Sequence, residues 1–237
     1  MADYAGASLH GALGIALALF ARERTGRGQH VDVSYLDTTV SLLAATPNMR
    51  FFFSDGTAPR RGEGFLGGSY PYYAIYETRD DKLLTIGCTE PWLWDNFCKA
   101  IGRPDLEHFA RKPDQFVRAA NREEAAARDE IEKIIRTRDR DEWYERLVKA
   151  DVCVGKVYDI EEMVNDPQIN HRQMIVDVEH PTHGRIRQFG VAIKLSETPG
   201  SVRSAAPLSN EHTEVVLKDL GFAAADIAGL RARKVIE

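Results

Sequence analysis

Between Leu9 and Phe20 nearly every residue is apolar or small, and Gly6, Gly11 and Gly14 punctuate the run and its approach. Each glycine costs a helix about 1 kcal/mol relative to alanine, so three of them need a compensating reason. Close approach of another backbone or of a ligand is the usual one. An apolar run with no polar face suits a helix buried on both sides. Arg22, Glu23 and Arg24 make the last turn polar, and the arginines suit the negative end of the helix dipole. Gly26 is placed to close the helix in a left-handed conformation. Asp3 stands just ahead of the run, where the plain reading is a helix N-cap. Beyond Gly28, Val31–Tyr35 reads as a short strand.

The same stretch resembles a known signature. Asp-Tyr-Ala-Gly (3–6), then Ala-Leu-Gly-Ile-Ala-Leu-Ala-Leu (12–19), then Arg-Glu-Arg-Thr-Gly-Arg-Gly-Gln-His-Val-Asp-Val-Ser (22–34) are similar to the central signature of the family III CoA-transferases. That superfamily contains formyl-CoA and carnitine CoA-transferases and the α-methylacyl-CoA racemases. The resemblance implies that Asp3 matches the family's catalytic carboxylate. It also implies that a large nucleotide-binding half, which family members carry ahead of this point, is missing here.

Composition sets the outer limits. A chain of 237 residues, 43% hydrophobic and 28% charged, is long enough for one large or two small domains of ordinary globular type. Its net charge of −5, with no basic patch interleaved with aromatics, argues against a nucleic-acid partner. The run Leu9–Phe20 is too short to span a bilayer, and Met1-Ala2-Asp3 has no basic region of the kind that opens a signal peptide. Cytoplasm is the default expectation, with no membrane partner. Cys88, Cys98 and Cys153 are too few and too scattered for a disulfide framework or a zinc site.

Along the chain, Asp37 is expected to cap a helix over 38–46 that Pro47 stops, and 48–69 reads as a long loop rich in turn residues. Tyr72–Thr78 and Lys82–Cys88 form a hairpin about Asp80-Asp81. Helices are expected over 92–101, roughly 121–136 and roughly 140–149 by their apolar spacing. A short strand over 152–157, a helical turn over 159–164 ended by Asp166-Pro167, a second hairpin over 174–189, a linker over 196–207 and helices over 214–220 and 226–232 complete the reading. His10 is more simply a core or surface histidine than a base, and His180 and His183 flank a turn as solvated residues.

The resemblance continues through Gly-Gly-Ser-Tyr-Pro-Tyr-Tyr-Ala-Ile-Tyr-Glu-Thr (67–78), Ile101–Pro104, Asp-Val-Cys-Val-Gly-Lys-Val (151–157) and Leu208–Thr213 with Leu220–Phe222. It implies an α/β fold, in which an incomplete large Rossmann-like domain accompanies a small α+β domain. Residues 1–47 would carry the catalytic-Asp helix of the large domain, 48–69 a linker and glycine loop, 70–190 the small domain, and 191–237 the return to the large one. It implies Asp3 as the catalytic residue and Gly67 and Gly68 as a substrate-covering loop. No metal is implied, nor any cofactor beyond coenzyme A as part of the substrate. The implied partners are an acyl-CoA and a carboxylate, with an interlocked homodimer or a missing N-terminal subunit. Two other readings stay open: a racemase-type epimerase, and an inactive fragment or interaction subunit.

Overall fold

A computed structural model describes residues 2–45, 47–64 and 66–237. It is mixed α/β, as expected, and its contacts divide into two compact units, Met1–Val157 and Tyr158–Glu237. The boundary at Val157 falls inside the stretch 70–190 that the sequence reading treats as one domain.

The first unit opens on a continuous helical segment. Ala2–Leu9 is wound as a wide π-helical stretch and runs straight into α1, His10–Thr25. Asp3 therefore lies within helix and does not cap it, because the chain is already helical at Ala2. Gly26 closes α1 with φ +70° and returns its N–H to the Arg22 carbonyl. The segment after it, expected as a strand over Val31–Tyr35, pairs with no described strand. It instead packs against α1 at Gly14, where an added Cβ would lie 2.8 Å from Val31 Cγ1. This close approach accounts for one of the three glycines. Helix α2, Tyr35–Leu42, is capped by Ser34, whose hydroxyl accepts from the N–H groups of Leu36 and Asp37. Asp37, the expected cap, sits one turn inside, since a cap needs extended backbone and Ser34 has it. Helix α3, Pro47–Asp55, occupies the start of the expected loop. Proline's missing N–H costs nothing in a first turn, so Pro47 opens a helix and does not merely end one. The expected helical residue Thr46 lies outside the described residues.

The core of this unit is a three-stranded antiparallel sheet, β1 (Tyr73–Glu77), β2 (Leu83–Gly87) and β3 (Val154–Val157), in the order β1-β2-β3. Ala74, Tyr76, Leu84 and Ile86 face helices α4 (Pro91–Ile101), α5 (Arg122–Ile135) and α6 (Arg140–Lys149) and are buried with Trp94, Phe97, Ile131, Ile135 and Leu147. Trp94 stacks on Phe97 with centroids 5.4 Å apart and donates its indole N–H to the Leu106 carbonyl at 3.0 Å. Helix α5 begins with a reciprocal cap: Asn121 Oδ1 accepts from the Glu124 N–H at 2.8 Å, and the Glu124 carboxylate accepts from the Asn121 N–H at 2.7 Å.

The second unit holds α7 (Ile160–Asn165), α8 (Pro167–His171), a hairpin of β4 (Ile175–His180) and β5 (Gly184–Phe189), α9 (Thr213–Asp219) and α10 (Ala224–Ala232). Asp166-Pro167, expected to end a helix, also starts one, with the Asp166 carboxylate accepting from the Ile169 N–H at 2.9 Å. His180 is buried and not solvated, because its Nδ1 accepts the N–H groups of Thr182 and His183 at 3.2 and 3.3 Å and so closes the hairpin turn.

Helix α1 has no buried residue, and Leu13, Ile15, Leu17, Leu19 and Phe20 are all exposed. Counted from Ala2 to Thr25 it is long and apolar enough to cross a membrane, with a mean hydropathy of 1.5 over its best window. The run Leu9–Phe20, read as too short, is lengthened by the helical residues on either side of it. A core helix of a larger protein satisfies the same criterion. Replacing both Leu13 and Leu17 with glutamine is expected to reduce self-association of the chain, measured by light scattering. Its unfolding free energy should change by no more than about 0.5 kcal/mol per site. A loss of several kcal/mol would show that the helix is covered within one chain.

Candidate active site

Three residues stand out from the sequence: Asp3, Gly67 and Gly68. Asp3 is exposed, and its backbone carbonyl accepts from the Ser8 hydroxyl at 2.8 Å across the wide turn. Nearby, His10 Nδ1 lies 2.6 Å from the Ala5 carbonyl, so this imidazole is tied to the backbone of its own helix. Wide π-helical turns are uncommon and occur disproportionately at functional positions. Among the described residues no ion pair holds the Asp3 carboxylate.

Gly67 and Gly68 lie together in a tight turn. The Gly67 N–H donates to the Gly64 carbonyl at 2.9 Å, and a Cβ on Gly67 would meet the carbonyl oxygens of Glu63 and Gly62 at 2.6 and 2.7 Å. Gly68 has φ +82°. Both glycines are thus demanded by the turn itself. The turn is held from one point: the Arg118 carbonyl accepts from the Gly64 N–H and from the Tyr70 hydroxyl, each at 2.9 Å. The Arg118 guanidinium is in turn held by the buried Glu124 carboxylate at 2.9 Å. Burial pushes the Glu124 carboxyl upward, but the bonds from Arg118, the Asn121 N–H and Gln115 outweigh it and leave the group below its ordinary value.

The two glycines also form the rim of a cavity of about 710 Å³, well within the range that holds small-molecule ligands. Its floor is the face of the sheet turned away from the core, with Ile75, Thr85, Gly87 and Gly155, and Cys153 and Arg128 stand at its sides. The structure brings Gly67 and Gly68 to this cavity; Asp3 is not among its lining residues. Gly87, Gly155 and Arg128 carry no functional expectation from the sequence, and Cys153 only the exclusion of a disulfide or zinc role. A glycine inside a strand pattern is the one local signal that could have drawn attention to two of them. Among the described residues no group of three or more His, Cys, Asp or Glu side chains is arranged to hold a metal ion.

A family model described as CoA-transferase family III matches residues 1–213. The chain belongs to CoA-transferase family III. This family III chain is 31% identical to the succinyl-CoA–L-malate CoA-transferase beta subunit of Chloroflexus aurantiacus, across 100% of its own length and 58% of the relative's. It is 28% identical to human alpha-methylacyl-CoA racemase, across 100% of its own length and 59% of that protein's. In fold it matches a CAIB/BAIF family protein from Brucella suis with a TM-score of 0.68 and 23% identity, covering 92% of this chain and 55% of that one. The family III chain thus spans somewhat over half the length of the curated relatives it matches.

Proposed function

We propose that the protein containing this chain moves coenzyme A from an acyl-CoA thioester to a carboxylic acid, with Asp3 as the nucleophile. The observation that carries this reading is the family match over residues 1–213, with Asp3 at the head of the matched stretch and exposed. A nucleophilic carboxylate divides one difficult exchange into easier steps. An Asp3 oxygen attacks the thioester carbonyl and expels the CoA thiolate, leaving a mixed anhydride. The thiolate then attacks the Asp3 carbonyl, releasing the donor acid and forming an aspartyl-CoA thioester. An acceptor carboxylate attacks that thioester and expels the thiolate again. Attack of the thiolate on the acceptor's carbonyl completes a new acyl-CoA and returns Asp3 to its carboxylate form. Gly67 and Gly68, as residues able to bring backbone close to a ligand, suit a loop covering the thioester.

In this reading the exposed apolar face of α1 is covered in the complete protein, by the portion of the relatives that this chain does not span or by a second copy. The setting is cytoplasmic. The chain on its own is expected to transfer no CoA, and activity is expected once the remaining portion is supplied, fused or in trans. Hydroxylamine added during turnover should convert Asp3 into a hydroxamate, detectable by peptide mass spectrometry. The match to a racemase supports a second reading, in which Asp3 moves the α-proton of an acyl-CoA. That chemistry leaves no adduct with hydroxylamine and instead washes solvent deuterium into the α-position. A completed protein that does neither would leave only an interaction subunit.

A further inference from the structure

The floor of the cavity holds two glycines in strands, of which Gly155 is called for by the Thr85 hydroxyl lying against it across the register, and Gly87 by no such close contact. Gly155 and Gly87 both lie in strands and neither has a positive φ. Glycine weakens a strand interior, and where no turn or bulge calls for it, close approach of a ligand or of another part of the chain is the usual reason. The register places Gly155 opposite Thr85, and Gly87 opposite Tyr73. All four point away from the core, because their neighbours Ala74, Leu84 and Ile86 point into it. A Cβ on Gly155 would lie 2.8 Å from Thr85 Oγ1, and one on Gly87 would lie 3.4 Å from Cys153 Sγ. Thr85 Oγ1 donates its proton to the Gly155 carbonyl at 3.0 Å, so it has no donor left for a ligand and the floor presents mainly carbon. Ile75, half exposed at 51%, continues the same surface.

We propose that this cavity floor seats the apolar body of an acyl group of several carbons, and that Gly87 sets the size it accepts. The inference rests on the acyl-CoA reading above and deepens it, by naming a substrate class larger than a one- or two-carbon unit. A cavity of about 710 Å³ rimmed by the Gly67-Gly68 turn has the dimensions of a small-molecule site. With no side chain at Gly87, the floor beside Cys153 is a shallow channel of bare backbone along which a methylene chain can lie. Filling that channel from below should exclude long acyl groups and spare short ones.

The test uses the 237-residue chain, with sodium hexanoate as probe and sodium acetate as control. Hexanoate is expected to shift the backbone amide resonances of Thr85, Gly87 and Gly155 saturably, and to slow alkylation of Cys153 by iodoacetamide. Acetate should bind about tenfold more weakly or worse. Cys88 and Cys98 are buried, and burial pushes the Cys88 thiol up to about 12 and raises that of Cys98 as well, so they do not compete in the alkylation. Gly87→Ala, whose Cβ fits at ordinary contact distance, should keep the fold and weaken hexanoate binding by about tenfold. Equal response to hexanoate and acetate, no response to either, or undiminished hexanoate binding in Gly87→Ala would overturn the proposal. Hexanoate binding needs no CoA chemistry. Failure of CoA transfer alone therefore counts against the functional reading, and failure of hexanoate binding in an active enzyme counts against the floor.

Discussion

Asp3→Asn is expected to abolish CoA transfer by the completed enzyme, with kcat lowered on the order of 10³-fold or more. An amide oxygen is a far poorer nucleophile than a carboxylate, and it cannot leave behind an aspartyl thioester. The substrate-binding surfaces are untouched, so KM for the acyl-CoA should change little, and the two kinetic constants separate a chemical role from a structural one. Stability should not move by more than about 0.5 kcal/mol, because Asp3 is exposed. Asp3→Glu keeps the charge but moves the oxygens by one methylene, and a nucleophile displaced by that amount loses its attack geometry. Its activity is expected to stay closer to that of Asp3→Asn than to the parent. Transfer that survives Asp3→Asn within tenfold would remove Asp3 from the chemistry.

Trp94→Ala is expected to cost the first unit about 3–5 kcal/mol of unfolding free energy. Trp94 is fully buried and touches the core through Phe97 and Tyr72, whose ring meets it edge-on at 6.4 Å. Its indole N–H donates to the Leu106 carbonyl, so truncation both opens a cavity and removes a buried hydrogen bond. All three tryptophans (92, 94 and 143) lie in this unit, so urea unfolding followed by the fluorescence of the remaining two reports on it selectively. Trp94→Phe refills most of the volume and loses only the indole hydrogen bond, so a smaller loss is expected. A cost below about 1.5 kcal/mol for Trp94→Ala would mean that the site collapses around the smaller side chain.

Features specified by neighbouring residues were legible before the structure. The hairpin of β1 and β2 follows from its alternating pattern around Asp80-Asp81, and the structure pairs Tyr76 with Leu84 in that register. Gly26 closes α1 with φ +70°, as a residue without a Cβ does at such a position. Helices α5 and α6 fall within a residue or so of their expected spans. Each of these depends on groups no more than a few positions apart, so the sequence carries the whole signal. The resemblance at Asp3 was equally local, a run of residues read in order.

What tertiary structure decided depends on segments that meet from a distance. Val31–Tyr35 has the composition of a strand, but a strand exists only where a second one pairs with it, and here Gly14 of α1 receives that segment instead. His180 looked like a turn residue in water, and only the folded hairpin shows its Nδ1 turned inward onto two backbone N–H groups. The cavity draws on residues near 67, 75, 86, 128 and 154, and Gly87 and Gly155 acquire meaning only once β2 lies between β1 and β3. Local chemistry can specify a turn or the end of a helix. A pocket is the space between elements, and it appears only when long-range pairing has placed them.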